Sequence, residues 1–108
     1  MLWFAGPLAA QDFSALARID AEQSAVKPWK QGAEVDLQLS QPVPFRVFTL
    51  DAPWRLVIDF REVDWTGLSR EAIWAGPDSR ISALRFGGLR PGWSRMVVDL
   101  AQPMIIET

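Results

Sequence analysis

The stretch Val43-Pro-Phe-Arg-Val-Phe-Thr-Leu-Asp-Ala-Pro-Trp-Arg-Leu-Val-Ile-Asp-Phe60 decides how the rest of the chain is read. Its two halves, Phe45 to Leu50 and Arg55 to Phe60, are rich in aromatic and β-branched residues, which fit a pleated, half-buried surface. Asp51-Ala-Pro53 between them is turn chemistry, and with spacers this short neighbouring strands should mostly pair antiparallel. Within the second half the side chains alternate with period two. Arg55, Val57 and Asp59 share one face, and Leu56, Ile58 and Phe60 share the other. One face is built for a core and the other carries charge.

The same alternation spreads outward in both directions. In Glu34-Val-Asp-Leu-Gln-Leu-Ser40, Val35, Leu37 and Leu39 oppose Asp36, Gln38 and Ser40. Further strands are expected at Ala15 to Ala21, Ile81 to Phe86, Ser94 to Leu100 and Met104 to Glu107, separated by turn residues such as Gln31-Gly32, Gly76-Pro77-Asp78 and Pro91-Gly92. Val63 to Ala75 resists a strand reading: Leu68, Ala72 and Ile73 fall at helical spacing, so a one- or two-turn helix capped by Ser69 is expected there. The chain also repeats itself. Arg55-Leu-Val-Ile-Asp-Phe60 recurs as Arg95-Met-Val-Val-Asp-Leu100. Two copies of one strand suggest two similar sheets face to face. The expected fold is therefore an all-β sandwich of two facing, pseudo-symmetric antiparallel sheets of about four strands. Leu37, Leu39, Leu56, Ile58, Phe60, Val98 and Leu100 should form its core.

Composition excludes much. A chain of 108 residues holds one domain. With a net charge of −2 it lacks the dominant cationic surface of a general nucleic-acid binder. There is no Cys and no His, which removes thiolate nucleophiles, the usual zinc ligands and the commonest general base. No catalytic residue, metal or cofactor is therefore expected within it, although a carboxylate pair or a Ser/Lys pair could in principle act. No run of about 20 apolar residues occurs, so membrane insertion is not expected. Met1 to Gln11 is apolar, then broken at Gly6-Pro7, then small at Ala9-Ala10, the pattern of the back half of a secretory signal peptide. The expected division is a leader at residues 1–10 and one β-domain at residues 11–108, with a periplasmic mature protein.

The run from Val43 to Phe60, a strand, a Leu-Asp-x-Pro turn and then Arg-x-Val-Ile-Asp-apolar, resembles the signature of the AMIN domain. The resemblance extends over about residues 14 to 107. It implies two facing four-stranded sheets and a non-catalytic module that binds peptidoglycan. It further implies delivery of a periplasmic N-acetylmuramoyl-L-alanine amidase to the division septum, with division-site proteins as further partners. The zinc-dependent amidase chemistry would belong to another part of the full-length protein. Two alternatives stand beside this: an AMIN domain of a pilus or secretion secretin, and a protein-interaction sandwich that recruits a division protein by strand addition.

Peptidoglycan offers sugars with apolar faces and peptides rich in carboxylates. Aromatic rings suit the first, and the guanidinium fork suits the second. Arg80, Arg85, Arg90 and Arg95 recur at five-residue steps around an expected hairpin loop, Gly87 to Gly92, with Trp93 at its base. Trp54 and Arg55 precede the first copy of the repeated strand, and Asp59 lies on the charged face with Arg55. The candidate ligand-binding set is thus Arg85, Arg90, Trp93, Arg95, Trp54, Arg55 and Asp59. A plainer reading stands beside it, in which the Arg residues are solvated strand-end charges and the Arg–Asp pairs only order the surface, at about 0–1 kcal/mol each. A step of five also alternates faces on an ideal strand, so the Arg series can share a face only if the loop re-aims part of it.

Overall fold

The computed structural model describes residues 16–108; the expected leader at residues 1–10 lies outside the described residues, as does the first residue of the strand expected at Ala15. The described chain is all-β. Its strands are β1 (Ala17–Arg18), β2 (Ala25–Trp29), β3 (Gly32–Asp36), β4 (Phe45–Leu50), β5 (Arg55–Arg61), β6 (Val63–Asp64), β7 (Ile81–Arg90) and β8 (Trp93–Leu100). A single turn of 3-10 helix sits at Ala21–Gln23 and another at Arg70–Ala72. Four strands form one antiparallel sheet in the order β4-β5-β8-β7. Two ribbons complete the fold, β2 with β3 antiparallel and β1 with β6 parallel.

The duplicated hexapeptides do not seed two facing sheets. They lie side by side in one sheet, β5 against β8, with Val57 opposite Val97 at the centre. A pattern of Arg, Val, Asp at every second position, run antiparallel to itself, sets each Arg across from the other copy's Asp. Arg55 accordingly faces Asp99 and Asp59 faces Arg95. Cross-strand opposite charges stabilise a sheet where like charges would oppose it, so the repeat encodes a pairing within one sheet. Among the described residues the sheets have four, two and two strands, and the layer over the apolar face is built from ribbon and turn segments.

That layer closes the core. Ile58 and Phe60 from β5, Met96, Val98 and Leu100 from β8, and Ile81 and Leu84 from β7 meet Val26, Ile73 and Trp74 from the covering segments. Ile81, Leu84, Met96 and Val98 are wholly buried, each worth about 1.5–3 kcal/mol of transfer free energy before the entropy of ordering is set against it. Of the expected core, Ile58, Phe60, Val98 and Leu100 are buried, while Leu37 and Leu56 pack half-buried against it. Leu39 is half-buried at a bridge to Ile19. Trp65 stacks on Phe86 at 4.8 Å, meets Phe60 edge-on at 5.5 Å, and donates its indole N–H to Ser94 Oγ at 2.6 Å.

Two local expectations are corrected and one strand is added. Ala25–Trp29 is a strand that the alternation did not mark, and Pro28 is accommodated because it sits opposite Ala33 in a two-stranded ribbon, where one missing N–H is tolerated. Met104 to Glu107 forms no strand. Between Val63 and Ala75 the helical spacing yields a single 3-10 turn, and Ser69 precedes it without a side-chain capping bond. What orders the segment is burial of Ile73 and Trp74, with Val26 N–H donating to the Ile73 carbonyl at 2.7 Å.

Candidate functional site

The second face of the four-stranded sheet carries the chemistry. On β5, alternation continues through Arg55, Val57 and Asp59 to Arg61, since the strand runs one residue past Phe60. The register adds neighbours on both sides: Arg46 lies across from Asp59 and Phe48 across from Val57 on β4, while Trp93 lies across from Arg61 on β8. From β7 come Arg85, opposite Val97, and Arg90, opposite Trp93.

The five-residue Arg step is resolved by backbone geometry. Gly87 and Gly88 do not form a loop; β7 runs through them to Arg90 and turns at Pro91-Gly92. The register slips between Gly88 and Arg90, so one extra residue, Leu89, is inserted against β8. Such a bulge restores the parity that a step of five removes, and Arg85, Arg90 and Arg95 share the face. Pro91 followed by Gly92 at φ 78° is the type II turn pattern, which needs a residue at ease with positive φ in second place. Arg80 does not join them: it precedes β7 and donates to the Gly32 carbonyl at 3.5 Å.

At the centre of the face Asp59 is 1% exposed. Arg95 donates to it twice, from Nε to Oδ1 at 2.7 Å and from Nη2 to Oδ2 at 3.0 Å, and Arg46 Nε reaches Oδ2 at 3.1 Å. The Arg95 hydrogen bonds, aided by Arg46 and opposed by burial, hold the Asp59 carboxyl below its ordinary range. The same bond raises Arg95. Arg46 and Arg95 also lie over the Phe48 ring, at 5.4 and 5.8 Å from its centroid. Further along, Arg85 pairs with Asp99 at 2.8 Å. Arg55 turns back to the carbonyls of Pro53 and Asp51, at 3.1 and 3.3 Å. At the opposite end Arg61 and Arg90 lie over Trp93, at 5.5 and 5.3 Å from its ring centroid.

Of the sequence-predicted residues, the fold therefore gathers Arg85, Arg90, Trp93, Arg95, Arg55 and Asp59 on one face. Trp54 stands apart: it precedes β5, its carbonyl accepts from Leu100 N–H, and it lies near the far end of the sheet from Trp93, about 20 Å away at strand rise. Sequence reading missed Arg46, Phe48 and Arg61. For Arg61 the signal was present, because it continues the Arg55, Val57, Asp59 parity by one step. Arg46 and Phe48 could be placed only once the β4–β5 register was known.

Six of the nine Arg thus share a face with two carboxylates, Asp59 and Asp99, in a chain whose net charge is −2. Such a surface attracts anions, and planar ones best, through guanidinium forks. Among the described residues no three His, Cys, Asp or Glu converge as metal ligands would, and no helix is long and apolar enough to cross a membrane. Compared with known proteins, the chain has no match among curated sequences. The family model of the AMIN domain matches residues 25–107.

Proposed function

Because this chain belongs to the AMIN domain family, we propose that its cationic sheet face is the surface with which it binds peptidoglycan. AMIN domains are non-catalytic modules of peptidoglycan binding and targeting. The observation that carries the assignment to this face is the concentration of Arg46, Arg55, Arg61, Arg85, Arg90 and Arg95 on one side of an otherwise acidic chain. Peptidoglycan is a polyanion through its stem peptides, and a cationic face raises its local concentration and steers its approach. Arg85, Arg90, Trp93, Arg95 and Arg55 make up the contact surface with Arg46, Phe48 and Arg61 added, while Asp59 orders it from below.

A finer reading extends this, supported by the leader-like Ala9-Ala10-Gln11 segment and by the family resemblance. The mature protein resides in the periplasm after removal of residues 1–10, and the domain at 11–108 brings a zinc-dependent N-acetylmuramoyl-L-alanine amidase to the division septum. Co-sedimentation with purified insoluble sacculi tests the binding step. The domain should pellet with the sacculi and release neither sugar nor peptide from them. Arg85→Ala, Arg90→Ala and Arg95→Ala together should reduce retention. Lys27→Ala with Lys30→Ala should do much less, since Lys27 pairs with Glu34 and both Lys lie over Trp29 on the other ribbon. Equal loss in the two variants would reduce the interaction to general electrostatic adhesion, and no loss in either would move the site off this face.

A further inference from the structure

We propose that Arg61 and Arg90, both packed on the Trp93 ring, form a site for a free carboxylate, so that this face reads the stem peptide of peptidoglycan and not its sugars. The inference rests on the peptidoglycan reading and narrows it to one chemical group.

An aromatic ring that stacks on a pyranose must present an open face. Both rings on this surface already carry guanidinium groups. Phe48 has the guanidinium carbons of Arg46 and Arg95 over it, at 5.4 and 5.8 Å, and Trp93 has those of Arg61 and Arg90, at 5.5 and 5.3 Å. These rings position cations. Among the described residues the Trp most exposed to solvent, Trp29 at 51%, sits on the β2–β3 ribbon.

The cations are not equivalent. Arg46 and Arg95 share Asp59, Arg85 is engaged with Asp99, and Arg55 donates to backbone carbonyls. Among the described residues Arg61 and Arg90 alone on this face have neither a carboxylate within 4.0 Å nor a backbone acceptor, although both side chains belong to exposed residues. The nearby Glu62 carboxylate lies beside Gly92, where an added Cβ would meet Oε1 at 3.3 Å, and it pairs with neither Arg. Two like charges gathered on one ring repel, and an anion bound at their forks relieves that repulsion. A carboxylate is planar, carries the opposite charge and matches the fork in two parallel bonds; a neutral sugar hydroxyl offers one acceptor and no counter-charge.

The test compares intact sacculi with sacculi whose free carboxyls have been converted to amides by carbodiimide and methylamine, the glycan being left unaltered. Wild-type protein should pellet with the intact material and bind the amidated material about tenfold more weakly. Arg61→Gln with Arg90→Gln should lower retention on intact sacculi to a similar degree with the thermal unfolding midpoint unchanged, because neither Arg holds an ion pair in the fold. The wild-type comparison stands whether or not that variant folds. Equal wild-type retention on intact and amidated sacculi would overturn the carboxylate site and leave the peptidoglycan reading in place. No retention on intact sacculi would overturn both.

Discussion

The Asp59 carboxylate accepts from Arg95 and Arg46 with 1% of its surface exposed, so protonating it would leave two guanidinia without their shared counter-charge. Its folded pKa lies below the ordinary value of 3.8 because the Arg95 bonds favour the charged form. The unfolded chain therefore binds this proton more readily. The stabilisation is complete above the ordinary carboxylate pKa and is lost as pH falls through the lower, folded value. Asp78, held low by the backbone N–H groups of Ile81 and Arg80, and Asp64, held low by Thr66, act in the same direction. Asp59→Asn should cost about 1–3 kcal/mol at neutral pH, the partners being solvent-accessible enough to rehydrate. It should also flatten part of the acid limb in urea titrations run from pH 7 to pH 2, leaving the portion due to Asp64 and Asp78. An unchanged acid limb would mean that Asp59 is not a principal linkage group.

At the scale of an element, β7 and its turn divide the glycines by role. Gly92 has φ 78° and little room, with Glu62 Oε1 3.3 Å from where a Cβ would stand. Gly88 has no positive φ and open space around its Cβ position. Gly92→Ala should destabilise by about 1 kcal/mol through left-handed strain. Gly88→Ala should be neutral or slightly stabilising, since glycine weakens a strand interior. Denaturant midpoints of the two variants check this, and equal losses would contradict the turn assignment. The bulge at Leu89 belongs to the same scale. It is the feature that lets a five-residue Arg spacing present one face, and period-two reading from the sequence has no term for an inserted residue.

Across the whole molecule the charge is segregated. The sheet face carries six Arg against Asp59 and Asp99, so the remainder of a chain of net charge −2 is markedly acidic. Binding through that face should weaken steadily as salt rises from about 50 to 300 mM, because exposed charges are screened beyond roughly 8 Å at physiological ionic strength. Retention on sacculi measured across that range tests it, and salt-independent retention would point to apolar contact instead. By itself the sequence determined the strands around Val43 to Phe60, the core parity of Ile58, Phe60, Val98 and Leu100, and the lack of His and Cys chemistry, because alternation and composition are local properties. Tertiary structure alone decided that the two Arg-x-Val-x-Asp copies pair in one sheet, that Ile73 and Trp74 help cover it, and that Arg61 reaches Trp93 beside Arg90. Those outcomes depend on which strand lies beside which and in what register. That choice is made by burial and by cross-strand charge between residues far apart in sequence, as Asp59 and Arg95 are at 36 positions, and no local pattern records it.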